Sequence, residues 1–513
     1  MVRQTATVVT FELLGGVLLL AVAAVVTLAF MLAQGPVELN MFKNDVERAL
    51  EEARNGRDIE IEQLTLQWSP ADRRMIVSAD NLSLADDDGN IAARASQALI
   101  TLDAGSLFFG RTEILRTELR DGWVNVRNVT PTLWTFAGEP LPEFEARELP
   151  QTVDGWLQLM NRVLGDILAG LETTRQEGTL EAASFERMDL RFHAADDSLI
   201  GEMTNASGAM ERNEEGLFVQ LAGSGTGLGL PGDIEAELGV PVDYEALSLR
   251  LDLFEWSVGD LAARLGTFED KISGFPADIG LGITFEAGTG LSEVSLSAEA
   301  EAGEVIFADR PQEVDSLVFD TTYDPASDVL TITDLDVASR RLTGRWTGTV
   351  SQPRSEDENS AFDLQSEKVR LDLTPYFPEP WEFENISAKG TLDLEDQLAT
   401  VEAFSFNVRD AVVRGEAQIE PRPDASEQQL PLAVKLEAEL EGDLPKELAL
   451  RFWPRTLGSS ARNFAVERIN SATATAASVR LDLSPDSIQN GYFRDEDLEV
   501  RFYVEDAHVK FMN

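Results

Sequence analysis

From Ile59 onward, apolar and polar residues alternate with period two, the pattern of strands that cover one face. In "IEIEQLTLQW", Ile59 and Ile61 share a face, and Leu64, Leu66 and Trp68 follow after a one-residue shift. Such a shift predicts a bulge or a short turn between them. "NLSLADDDGN" alternates and then stops at an Asp/Gly/Asn turn, and "ALITLDAGSLFFG", "WVNVRNV", "SLVFDTTYD" and "LAVKLEAELEG" repeat the scheme. Helical periodicity is scarce. It is clearest in Gly155–Leu171, which looks like an insertion among strands, and again near Asp260–Leu265.

The alternation contains repeats. Arg-Leu-Asp-Leu stands at Arg250–Leu253, Arg370–Leu373 and Arg480–Leu483, which puts its leucines on one face and Arg and Asp on the other. "VLTITDLDVASRRLTGRWTGTV" (Val329–Val350) resembles "LATVEAFSFNVRDAVVRGEAQI" (Leu398–Ile419), each a two-stranded meander with a glycine near its middle, Gly344 and Gly415. The repeats predict an antiparallel sheet whose apolar face needs a cover. A sandwich or barrel provides one. A sheet curled into an open trough provides another, and alternation does not separate the two. The loop-like stretches 137–151, 351–360 and 420–431 read as insertions or turns rather than domain linkers.

The N-terminus obeys a different rule. Leu13–Ala33 holds 21 residues without a charge, which at 1.5 Å per residue spans about 30 Å, the hydrocarbon thickness of a bilayer. A cleaved signal peptide has a shorter apolar core and a better cleavage site than Met31-Leu32-Ala33. An uncleaved anchor is therefore expected, with residues 1–12 as a cytoplasmic tail and everything after Gln34 exported. Pro36 then opens an amphipathic helix over 36–53, with Leu39, Phe42, Val46 and Leu50 on the face that packs against the first strands.

Composition narrows the chemistry. The 513 residues exceed one ordinary core, and 42 basic against 91 acidic residues give a net charge of −49. That balance argues against nucleic acid as a partner and against adsorption to anionic head groups. There is no cysteine, and the two histidines, His193 and His508, both lie in strand-like text. Disulfides, thiol nucleophiles and zinc clusters are excluded, so no catalytic residue, metal site or cofactor is assigned. "GSGTGLG" (Gly223–Gly229) lacks the spacing of a nucleotide loop and reads as strand or turn. "DDDGN" (Asp86–Asn90) lacks the spaced ligands of a calcium loop and reads as a hairpin turn. Trp68, Trp346 and Trp453 read as structural.

Four passages resemble one family: "VERALEEARNGRDIEIEQLTLQW"; "MIVSADNLSLADDDGN" running into "ALITLDAGSLFFGRTEILRTELRDGWVNVRN"; "LTITDLDVASRRLTGRWTGTV"; and "LRFWPRTLGSSARNFAVERINSATATAASVRLDL". Together they look like the AsmA-like proteins, and within them the YhdP type. The resemblance implies a mainly β fold: an N-terminal transmembrane helix, then a long, curled antiparallel sheet forming an elongated hydrophobic groove, with few short helices. It implies a single-pass inner-membrane protein anchored through residues 13–33, with its body in the periplasm. The parts would be an N-terminal β region over 57–136, a loop and helical insertion over 137–178, and a repetitive groove body over 179–513. That body is expected to be incomplete at the C-terminus, because the YhdP type is longer and this chain ends inside a strand-like run.

The implied function is non-enzymatic: sheltering phospholipid chains between the inner and outer membranes. A scaffold or assembly factor for outer-membrane or periplasmic proteins is the alternative. Alternation selects the groove-facing side chains as Leu251, Leu253, Ile332, Leu335, Leu371, Leu373, Phe404, Phe406, Leu481 and Leu483. An ordinary closed core would use the same residues.

Overall fold

The computed structural model describes residues 35–510 except 70–73, 104–112, 131–132, 142–152, 178–179, 228–229, 266–271, 308–309, 352–358, 373, 375–376, 378, 394–397, 422–431, 454–458 and 485–496. The proposed membrane segment at 13–33 and most of the three loop stretches lie outside them. Among the described residues no helix is long and apolar enough to cross a membrane. The fold is mainly β, with 71 % strand and 13 % helix, and its sheet is mostly antiparallel. The chain divides into two compact units, Met1–Ser248 and Leu249–Asn513.

The first unit contains strands β1 (Val37–Glu38), β2 (Ile59–Glu60), β3 (Gln63–Ser69), β4 (Arg74–Ala85), β5 (Ile91–Leu102) and β6 (Ile114–Thr130). It continues with β7 (Leu133–Phe136), β8 (Glu139–Pro140), β9 (Ala182–His193), β10 (Leu199–Arg212), β11 (Gly216–Gly227) and β12 (Leu230–Pro241). Helices α1 (Lys43–Ala53) and α2 (Val153–Glu177) complete it. The expected shift in "IEIEQLTLQW" is a break at Ile61–Glu62: β2 and β3 both pair with β4, and Ile59, Ile61, Leu64 and Leu66 are all buried.

Helix α1 packs where expected, but with half of its expected face. Leu39 and Val46 meet the cluster of Ile59, Ile61, Leu64, Ala79 and Ala98, whereas Phe42 and Leu50 are exposed. The helix begins only at Lys43, after a 3-10 turn at Asn40–Phe42 that advances by three residues instead of 3.6 and rotates Phe42 off the stripe. The segment also satisfies the strand break, where the ladder leaves backbone donors open. Ile61 N–H donates to Glu47 Oε1 at 2.9 Å, and Leu64 N–H donates to Asn40 Oδ1 at 3.0 Å. In the Asp86–Asn90 turn, Asp86 Oδ1 accepts from the backbone of Asp88 and Asn90, and Asp87 pairs with Arg57 at 2.7 Å.

One pairing departs from the antiparallel expectation: β6 and β9 run parallel, from Arg116↔Ala182 to Arg127↔His193. A parallel pair needs a crossover of a dozen or more residues, usually through a helix. The insertion expected at 137–178 is that crossover, and α2 is its helix, with Leu164 and Leu168 buried one turn apart.

The second unit takes up β13 (Ala246–Ser257) from Leu249 onward, then α3 (Val258–Leu265), β14 (Ile272–Gly274), β15 (Pro276–Glu286), β16 (Gly290–Ala300), β17 (Gly303–Phe307) and β18 (Arg310–Val314). Strands β19 (Ser316–Asp324), β20 (Val329–Ala338), β21 (Leu342–Ser351), β22 (Ser360–Leu371), β23 (Trp381–Asp393) and β24 (Leu398–Val408) follow. The unit ends with β25 (Ala411–Pro421), β26 (Leu432–Pro445), α4 (Lys446–Arg451), α5 (Ser459–Arg468), β27 (Ile469–Leu483) and β28 (Leu498–Val509). From β19 to β28 every strand pairs antiparallel with the next, so both repeated meanders are hairpins of one continuous ladder. Strands β14, β17 and β18 form a separate small sheet.

The glycines of the two meanders have a common cause. A Cβ on Gly415 would lie 2.7 Å from Phe404 Cζ across the ladder, and one on Gly344 would lie 2.8 Å from Trp346 Cη2. Each glycine leaves room for an aromatic ring beside bare backbone, Phe404 across the ladder from Gly415 and Trp346 two residues along the same strand from Gly344. Phe185 over Gly208 repeats it in the first unit.

Candidate functional site

Strands β26, β27 and β28 place their residues in transverse rows. Leu436, Leu481 and Leu498 form one row; Glu437, Arg480 and Glu499 form the next; Ala438, Val479 and Val500 form the third. Successive rows point to opposite faces because strand side chains alternate. The apolar rows line a cavity of about 680 Å³ within the second unit, a size typical of small-molecule pockets. On the other face Arg480 Nε donates to Glu437 Oε1 at 2.7 Å and lies 3.9 Å from Glu499, which pushes its guanidinium above the ordinary arginine value. The third Arg-Leu-Asp-Leu copy thus has its leucines in the cavity wall and its arginine in an outer charge row. In the other two copies Arg and Asp pair with each other on their shared face, Arg250 with Asp252 at 2.7 Å and Arg370 with Asp372 at 3.4 Å.

The facing wall is aromatic. Rings run Phe377–Trp381 (4.2 Å), Trp381–Phe383 (5.7 Å), Phe383–Phe406 (4.4 Å) and Phe406–Phe404 (5.9 Å) between centroids, and all five side chains line the cavity. Helix α4 closes one end. Its buried Leu448 joins Val408, Ala411, Leu444 and Ala474 in a small core, with Phe383, Phe406 and Phe452 packed on it. Trp381 Nε1 donates to the Arg451 carbonyl at 3.4 Å and ties the start of β23 to the end of that helix. Trp453, read from sequence as structural, lies in the cavity wall, its ring stacked on Phe502 at 6.1 Å.

Of the ten groove residues expected from alternation, Phe404, Phe406, Leu481 and Leu483 line this cavity. Ile332 is buried. Leu251, Leu253, Leu335 and Leu371 are half-buried and are not part of its wall, and Leu373 lies outside the described residues. Alternation gives the face of a strand but not the place along the sheet where helices return over that face. Phe377, Trp381, Phe383 and Phe452 were missed. For the first three the signal was present as the aromatic run "YFPEPWEF", which lacks the period-two alternation used to pick groove residues. Helices α4 and α5 were missed too, since "KELALR" and "SSARNFAVER" are too short to show a helical period against their surroundings.

His193 Nδ1 lies 3.1 Å from the Asp197 carbonyl in a turn, and His508 is exposed, 3.0 Å from Ser471 Oγ. Among the described residues no group of three or more His, Asp or Glu is placed to hold a metal ion. No known protein family matches the sequence, and no curated protein matches it either.

Proposed function

We propose that this chain shelters the acyl chains of lipids, with the cavity of the second unit as one binding site. On this reading the antiparallel strands curl around the apolar face, and the cavity is a segment of a hydrophobic groove. Residues 13–33 anchor the chain in the inner membrane, the body lies in the periplasm, and the role is phospholipid transport between inner and outer membranes by an AsmA-like protein of the YhdP type. The observation that carries it is the sidedness of β26–β28: apolar rows toward a cavity of ligand size, charged rows away from it. Each methylene sheltered there is stabilised by about 0.8 kcal/mol. The wall is predominantly apolar, and binding an apolar chain is the chemistry it supports.

The test is mass spectrometry of organic extracts of the full chain purified in mild detergent. Phospholipid at one or more copies per chain is expected. A lipid-free, monodisperse protein would favour the scaffold reading, which has its own observation: β28 exposes Tyr503 and Val504 beside the cavity-lining Phe502 and offers apolar surface to a protein partner.

A further inference from the structure

The cavity wall is apolar except at a few places. Arg341, Asp372 and Thr374 line it together, and Glu439 is the other charged residue there. Arg341 and its neighbour Arg340 are exposed in the turn between β20 and β21. The turn is fixed: Ser339 N–H donates to the Leu342 carbonyl at 2.8 Å, and Ser339 Oγ accepts from Arg341 N–H at 3.3 Å and from Leu342 N–H at 2.9 Å. Asp372 N–H donates to the Arg341 carbonyl at 2.7 Å, which holds the turn against the end of β22.

Arginines on the strands around this turn are paired: Arg345 with Asp334 at 2.6 Å, Arg370 with Asp372 at 3.4 Å. Among the described residues neither Arg340 nor Arg341 forms an ion pair. Asp372, which the turn holds in place, is already engaged: its Oδ1 accepts from Thr374 N–H at 3.0 Å and from Thr374 Oγ1 at 2.8 Å, and its Oδ2 lies 3.4 Å from Arg370 Nη2. Those hydrogen bonds, aided by the charges of Arg370 and Arg340, hold the Asp372 carboxyl below its ordinary value. In a chain of net charge −49, Arg341 in the cavity wall and the adjacent, exposed Arg340 place positive charge where the overall field repels anions.

We infer that Arg340 and Arg341 form a head-group site, and that the cavity takes an amphiphile with an apolar chain and an anionic phosphate head. This rests on the lipid reading above and names the residues that hold the lipid's head group. A guanidinium fork matches phosphate oxygens in pairs, and the apolar chain reaches the wall of Phe404, Phe406 and Leu481. A neutral amphiphile gains only the second contact.

The experiment is isothermal titration of the full chain with three probes: monooleoyl phosphatidic acid, its neutral counterpart monooleoylglycerol, and inorganic phosphate. The double variant Arg340→Gln/Arg341→Gln is titrated alongside. The expected result is that the phosphate lipid binds more tightly than the neutral one, and that the double variant loses at least about tenfold for the phosphate lipid only. Both residues are exposed in a turn, so the variant keeps its fold, and its unchanged affinity for monooleoylglycerol reports that. Equal binding of the two lipids, or an unchanged double variant, would overturn the head-group site and leave the cavity reading intact. Inorganic phosphate binding as tightly as the phosphate lipid would overturn it as well, since the chain would then contribute nothing. If neither lipid binds, the lipid reading itself fails.

Discussion

Phe404 lies across the ladder from Gly415, its ring over bare backbone where a Cβ would come within 2.7 Å of Cζ. The pair sets how closely the aromatic wall of the cavity approaches the sheet. A Cβ at position 415 would also meet the Glu437 carbonyl at 2.2 Å, and that backbone atom cannot give way. Gly415→Val is expected to destabilise the second unit by about 1–3 kcal/mol, the ordinary cost of overpacking. The denaturant midpoint of the variant checks this.

Filling the cavity separates binding from folding. Ala438 lies between Leu436 and Leu440 on β26 and faces the void. Ala438→Trp should occupy the space that a lipid chain needs. Bound lipid is expected to fall at least about tenfold, while Tm moves by no more than about 4 °C because the added ring enters a void rather than a packed core. Quantitative lipid extraction and a thermal melt on the same sample check both parts.

How much of this was legible in the sequence depends on the range of each signal. Strand identity and facing are period-two properties, so the meanders at 329–350 and 398–419 and the outward Arg480 came directly from the text. The break in "IEIEQLTLQW" came from a one-residue slip, which the buried face makes costly to misplace. What stayed hidden was non-local. Nothing near Leu251 or Leu371 says that they lie away from this cavity, and nothing near Leu481 says that α4, Phe377, Trp381 and Phe383 share its wall. The parallel β6–β9 pair was hidden for the same reason, since the choice of neighbour is made across a crossover of some fifty residues.

Asp121 and Arg187 give a pH-dependent test in the first unit. They sit opposite each other on parallel β6 and β9, both with left-handed backbone (φ 53° and 52°), and Arg187 Nε donates to Asp121 Oδ1 at 2.6 Å. That hydrogen bond and the guanidinium charge lower the Asp121 carboxyl below its ordinary value. A depressed carboxyl contributes stability that is present above the unfolded-state value, about 3.9, and is lost as pH falls through the folded one. Asp121→Asn should therefore lower the urea midpoint at neutral pH, and the two proteins should converge in acid below that range. A constant difference across the whole range would exclude the charge as its cause.

Salt should stabilise the whole chain. With a net charge of −49, self-repulsion opposes compaction, and raising ionic strength from about 0.01 M to about 0.15 M shortens the screening length from about 30 Å to about 8 Å. Tm is expected to rise across that range with sodium chloride. A fall would mean that the surface pairs, such as Arg480–Glu437, outweigh the net repulsion.

The most direct test of the central claim is site-specific photocrosslinking to lipid. A photoreactive residue replaces Phe406 or Leu481 in the cavity wall, or Arg480 on the opposite face, and the full chain is irradiated in native membranes. Lipid adducts at Phe406 and Leu481, with none at Arg480, are the predicted result. No adduct at either wall position, or equal labelling at Arg480, would contradict a sheltered lipid chain in this cavity.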